Sequence, residues 1–79
     1  MLKALANGRR LRIAGLLAGK GEMCVTDIAA AIGLSFKATS RHLTILARAD
    51  VLKVEQRGLS VFYRLAVPRP PLVAAALGD

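Results

Sequence analysis

Gly33-Leu34-Ser35 constrains this chain more than any other feature, because it joins two helical segments with room only to swing the backbone round. Before it, Thr26 offers a hydroxyl cap and Asp27 places negative charge at a helix N-terminus. Ile28, Ala29 and Ile32 then form an apolar stripe that stops at Gly33. After it, Ser35 caps a longer helix running to about Ala49. Helix, tight glycine turn, helix predicts a helix-turn-helix unit.

The flanking sequence supplies what such a unit packs against. Asn7 is placed to cap a helix over residues 9–18, in which Leu11, Ile13, Ala14, Leu16 and Leu17 are apolar and Arg9, Arg10 and Arg12 basic; Gly19 and Gly21 are expected to stop it. A shorter helical segment, residues 2–6, precedes it. Beyond Asp50, four of the six valines fall in residues 51–67 together with Phe62 and Tyr63, so helix gives way to strand. Leu52 and Val54 alternate with Lys53 and Glu55, Arg57-Gly58-Leu59-Ser60 interrupts, and Val61, Tyr63 and Leu65 alternate with Phe62 and Arg64. That pattern predicts a two-stranded hairpin with a basic tip. Pro68, Pro70 and Pro71 end the hairpin and lead into residues 72–77, an apolar helix candidate closed by Gly78.

The expected fold is therefore α+β and mostly helical: a winged helix-turn-helix domain over residues 1–67 whose wing is a two-stranded β-hairpin, then a Pro-rich linker and apolar helix over 68–79. With 79 residues there is space for one core, and a monomer this small hides only about 60% of the surface of its extended chain. Self-association is one way to supply the rest, and residues 2–6 and 72–77 are the expected dimer contact. No stretch approaches the roughly 18 apolar residues of a membrane span, no signal-peptide pattern opens the chain, and the single cysteine fits a reducing compartment, so the expectation is a cytoplasmic protein without membrane partners.

Charge points to the partner. Twelve Lys and Arg against five Asp and Glu leave +7, which favours a polyanion. On the helix from Ser35, residues 37, 41, 44 and 48 fall at i, i+4, i+7 and i+11, so Lys37, Arg41, Thr44 and Arg48 share one stripe while Thr39, Leu43 and Leu46 share the opposite one. One face can pack inward while the other, with Ser40, presents cations and hydroxyls to a major groove. A merely solvated helix face would also carry Lys and Arg. Against that stand the adjoining helix-turn-helix and the absence of any acid from 35 to 49. At the hairpin tip, Arg57 beside Gly58 can approach the DNA backbone or a minor groove, or remain an ordinary solvated Arg.

Taken in order, Leu5-Ala6-Asn7, Arg10-Leu11-Arg12-Ile13, Glu22-Met23-Cys24-Val25, Asp27-Ile28-Ala29, Leu34-Ser35, Ser40-Arg41-His42-Leu43, Leu46 and Val61-Phe62-Tyr63-Arg64-Leu65 resemble the ArsR/SmtB family of bacterial winged-helix repressors. The resemblance implies a homodimer that binds double-stranded DNA at an operator near its own operon and leaves when an inducer, often a metal or metalloid ion, binds. It implies that Ser35, Lys37, Ser40, Arg41 and His42 face DNA and that Arg57 lies at the wing tip. Phe36 stands where a polar residue is common and Lys37 where a small hydroxyl is frequent, so operator preference does not transfer.

The sensor is where this chain departs from the pattern. Metalloid-sensing members carry two thiols in the segment corresponding to Cys24-Val25-Thr26; here the second position is Thr26, and soft metalloid ions want about three thiolates. The family's other common site uses Asp and His on the last helix, but residues 72–79 hold no His and one acid, Asp79. Cys24 is left as a redox-reactive thiol, one ligand shared across a dimer, or a small residue half-buried before a helix. His42, without a carboxylate partner nearby in sequence, reads as packing or phosphate-contacting. With no phosphate loop, metal-ligand cluster or nucleophile motif, no enzymatic activity, cofactor or metal site is expected. The expected function is a sequence-specific DNA-binding transcriptional repressor. A protein-interaction winged helix, in which the same apolar stripes dock a partner, is the alternative.

Overall fold

A computed structural model describes the backbone of residues 2–66 and the side chains from Ala4 onward. In chain order the elements are α1 (Leu2–Leu5), α2 (Gly8–Lys20), β1 (Glu22–Cys24), α3 (Val25–Ile32), α4 (Phe36–Arg48), β2 (Leu52–Arg57) and β3 (Ser60–Leu65). The Pro-rich linker and apolar helix expected over 68–79, and with them half of the expected dimer contact, lie outside the described residues.

Helix ends follow the chemistry of their caps. The Asn7 side chain accepts hydrogen bonds from the backbone N–H of Arg9 at 3.0 Å and of Arg10 at 3.3 Å, as expected of a cap. The helix runs through Gly19, one of its two expected stops, because an interior glycine costs only about 1 kcal/mol relative to Ala and leaves the hydrogen-bond ladder intact. Gly21, at φ 88°, ends it by donating to the Leu17 carbonyl at 2.8 Å. In α3 the expected cap is corrected by two residues: Cys24, not Thr26, is the capping position, and it caps with no side-chain hydrogen bond. Thr26 lies inside the first turn, its hydroxyl 3.2 Å from the Cys24 sulfur.

Gly33, at φ 72° in the left-handed region, closes α3, and the Leu34 N–H reaches back to the Ala29 carbonyl at 3.2 Å. One residue later the Ser35 hydroxyl accepts from the Ala38 N–H at 3.1 Å and opens α4. At its far end Asp50 takes φ 61°, its N–H donates to Ala47 O, and the Val51 N–H donates to Leu46 O, both near 3 Å. This is a Schellman closure built on an aspartate where glycine is usual.

The sheet differs from expectation. The hairpin is present, but its strands belong to a three-stranded antiparallel sheet in the order β1-β3-β2, so β3 is central and β1 is an edge strand that the hydrophobic pattern did not indicate. Three residues, Glu22 to Cys24, are too few to display an alternation, and their partner lies some forty residues downstream. Register puts Leu52, Val54, Val61, Tyr63, Leu65 and Met23 on one face and Lys53, Glu55, Arg57, Phe62, Arg64, Glu22 and Cys24 on the other.

The first face closes over a core in which Ile13, Leu17, Ile28, Leu43, Leu46, Val51 and Leu52 are at most 2% exposed. Each such side chain gains about 1.5–3 kcal/mol from burial. Ala4 is buried in this same core, so part of segment 2–6 packs within the chain itself.

Candidate nucleic-acid interface

The surface of α4 divides as its spacing predicts. Lys37, Arg41, Thr44 and Arg48 are exposed in one stripe, and Thr39, Leu43 and Leu46 are fully buried in the opposite one. Burial of the second stripe against α2, α3 and the sheet fixes the rotation of the helix, and that rotation presents the first to solvent. At the N-terminal end Ser35, Lys37, Ala38 and Arg41 line an open depression of about 340 Å³. Ser35 is exposed but its oxygen is already an acceptor within the cap. Thr44 donates its hydroxyl proton to the Ser40 carbonyl at 2.9 Å, which leaves its oxygen free to accept. Ser40 is half-buried beside the stripe.

His42 lies off the stripe. It follows Arg41 by one residue, about 100° round the helix, and is half-buried with its Nδ1 inaccessible and without a hydrogen-bond partner. Burial, and then the positive fields of Arg10, Arg41 and Arg9, hold its pKa below the ordinary histidine value. Burial and these charges favour the neutral imidazole, which feels the basic side of α2, where Arg9 and Arg12 are exposed and an Arg10 guanidinium N–H donates to the Ala4 carbonyl at 3.1 Å.

The wing places Arg57 differently from the free tip cation the sequence suggests. The tip is Gly58, at φ 60°, and Leu59, whose side chain is wholly exposed. Arg57 folds back over the outer face of the sheet instead. Its Nη1 and Nη2 donate to the two carboxylate oxygens of Glu22 at 2.5 and 2.9 Å, and its Nε and Nη2 to Glu55 Oε1 at 2.9 and 2.6 Å. The guanidinium carbon stands 4.7 Å from the centre of the Phe62 ring. These bonds push the Arg57 pKa further up and hold Glu22 below the ordinary carboxylate range.

Glu55 was within reach of sequence reasoning, since residues two apart on a strand share a face. Glu22, 35 residues away, carried no signal without the β1 pairing.

Between the start of α3, the start of α4 and the wing tip lies a second cleft, of about 140 Å³, lined by Cys24, Thr26, Phe36, Leu59, Ser60 and Val61. The Cys24 thiol forms no disulfide and is half-buried there. Among the described residues no three His, Cys, Asp or Glu gather closely enough to hold a metal ion. Nor, among them, is any helix long and apolar enough to cross a membrane.

Known proteins share this arrangement. The arsenic resistance transcriptional regulator ArsR1 of Pseudomonas putida is 39% identical over 77 residues, 98% of this chain and 60% of its own length, so the chain spans about three fifths of that relative. Among solved structures, the AntR antimony-specific transcriptional repressor superposes with a TM-score of 0.83 at 39% identity, covering 98% of this chain and 67% of its own. The homodimeric winged helix-turn-helix DNA-binding domain Mb0332 of Mycobacterium bovis superposes with a TM-score of 0.80 at 38% identity, covering 96% and 67%. Residues 7–54 match the family described as bacterial regulatory protein, arsR family, a span that takes in α2, the helix-turn-helix and the first half of β2; the chain belongs to that family.

Proposed function

We propose that this chain is the DNA-reading domain of a cytoplasmic transcriptional repressor that binds an operator as a homodimer and is released by a signal. The observation that carries the reading is the division of α4, with Lys37, Arg41, Thr44 and Arg48 exposed opposite a fully buried Thr39, Leu43 and Leu46. A rigid helix with cations and hydroxyls on one side has the width and chemistry for a major groove. Ser35 and Ser40 flank the stripe and complete the reading face, while Arg9 and Arg12 add positive charge for phosphates.

Two domains spaced about 34 Å apart read a two-fold operator with the affinity one domain lacks, and the kinship with a homodimeric winged-helix domain supports that assembly. Its contact is assigned to residues 2–6 and 72–77, so Leu77→Asp should give a monomer by sedimentation and lose operator binding.

The releasing signal is of a different class from arsenic or antimony. Soft metalloid ions take about three thiolates, and here the Cys24 sulfur meets the Thr26 hydroxyl in place of a second thiol. Micromolar arsenite or antimonite should leave the complex with DNA intact. The function itself is tested by retention of genomic DNA fragments by the parent and by Arg41→Ala. Selection of a discrete sequence by the parent alone supports it, and equal retention of every fragment by both overturns it.

A further inference from the structure

Arg57 is the last residue of β2, one position before the exposed turn, yet its side chain runs away from the tip. With β3 central, the two outer strands lie roughly 10 Å apart. The guanidinium crosses that width over the Phe62 ring and bonds two-pronged to Glu22, the first residue of β1, while a further pair of bonds holds Glu55 on its own strand. β1 runs directly into Cys24 and α3, the first helix of the helix-turn-helix. One side chain thus fastens the outer strand of the wing to the strand that leads into the reading unit.

An isolated surface ion pair would mean little, but a bidentate arginine shared by two carboxylates and stacked on an aromatic ring is the case in which such pairs do hold geometry. Resting on the DNA-binding reading above, we propose that Arg57 is a positioning residue: it latches the wing to β1 and so sets the wing tip relative to α4, rather than contacting phosphate. A guanidinium satisfied by two carboxylates brings no uncompensated positive charge to the duplex. Releasing it to a phosphate would leave Glu22 and Glu55 unneutralised beside a polyanion. The wing surface that remains to meet DNA is the turn itself, Gly58 and Leu59.

Two measurements on the intact chain test this, each with the parent, Arg57→Ala and Arg57→Lys. The first is amide hydrogen exchange of the free protein. Both variants should speed exchange several-fold across residues 55–62 and in β1, because a lysine cannot span two strands with a planar fork. The second is duplex affinity as a function of salt. Both variants should bind several-fold more weakly with an unchanged slope of log K against log salt, whereas loss of one phosphate contact lowers that slope by about 0.9 and lysine restores it. Unchanged exchange in Arg57→Ala, or a reduced slope rescued by Arg57→Lys, overturns the latch. If the parent shows no salt-dependent binding of duplex DNA, the DNA-reading function falls, and the exchange result still decides the latch.

Discussion

Helix α4 and the wing are both amphipathic, both basic in sequence and both exposed along one side, but they place their cations in opposite ways. On α4 the cations stand clear of any carboxylate: no acid occurs between residues 35 and 49, and neither Lys37, Arg41 nor Arg48 forms an ion pair among the described residues. On the wing, Arg57 is held by two carboxylates and an aromatic ring. A cation kept free can release counterions from DNA on binding. Positive charge counted from composition merges free and paired cations; the structure separates them.

The largest effect that would test the contrast within α4 is between its two faces. Leu43→Ala removes a fully buried side chain from the centre of the core and should lower stability by about 2–5 kcal/mol, enough to unfold much of a domain this small. Lys37→Ala, on the opposite face, should stay within about 0.5 kcal/mol of the parent. Urea melts of the two variants check the pair, and similar midpoints would mean the helix is rotated from the position described. Arg41→Ala comes next: it should leave the urea midpoint in place and cost about 1–3 kcal/mol of discrimination between operator and random duplex, read by competition binding. Loss of both stability and discrimination would make Arg41 a structural residue.

How much of this was legible in the sequence follows the same division. The stripes of α4 were readable because a helix repeats every 3.6 residues and its faces are set by neighbours in the chain. The Ser35 cap and the Gly33 turn are likewise local, and they stand where residue chemistry puts them. His42 carried two readings, facing DNA by resemblance and packing or phosphate-contacting for want of a nearby carboxylate. Its half-burial, about 100° round the helix from Arg41, is a feature the helical period makes legible. The wing's third strand and the Glu22 partner of Arg57 were not legible, because pairing between β1 and β3 joins segments some forty residues apart and Glu22-Met23-Cys24 is too short to show a period. Cys24 rather than Thr26 caps α3 for the same reason: the helix begins where β1 ends, and β1 was unseen.

Smaller effects come from two local irregularities, one inside α4 and one just past its end. The Thr39 hydroxyl is buried with no hydrogen-bond partner, a cost of about 1 kcal/mol or more that an apolar group of the same shape does not incur. Thr39→Val should therefore raise the urea midpoint, and a drop would reveal a partner for the hydroxyl. Asp50 occupies a left-handed position at the end of α4. Asp50→Gly should gain up to about 1 kcal/mol by relieving that conformation in the Schellman closure. The wing offers no comparable site, since its one left-handed turn residue, Gly58, is already glycine.

The smallest expected effect is a pair of acid-sensitive steps, one in each region. His42 and Glu22 both have folded pKa values below their ordinary values of 6.5 and 4.5, for different reasons: burial among arginines for His42, and hydrogen bonds from Arg57 for Glu22. In each case the unfolded chain binds the proton more readily than the folded one, so stability is fully present above the ordinary value and is lost as pH falls through the folded one. The contact of α4 with α2 should thus loosen first, starting just below pH 6.5, and the wing latch only below pH 4.5. Chemical shifts of the His42 ring and of the Glu22 carboxyl carbon, followed from pH 7 to pH 3, separate the steps. Glu22→Gln should abolish the lower one without moving the upper. If the two titrate together, or if Glu22→Gln shifts the His42 midpoint, then the reading helix and the wing are one coupled electrostatic unit and the contrast between them fails.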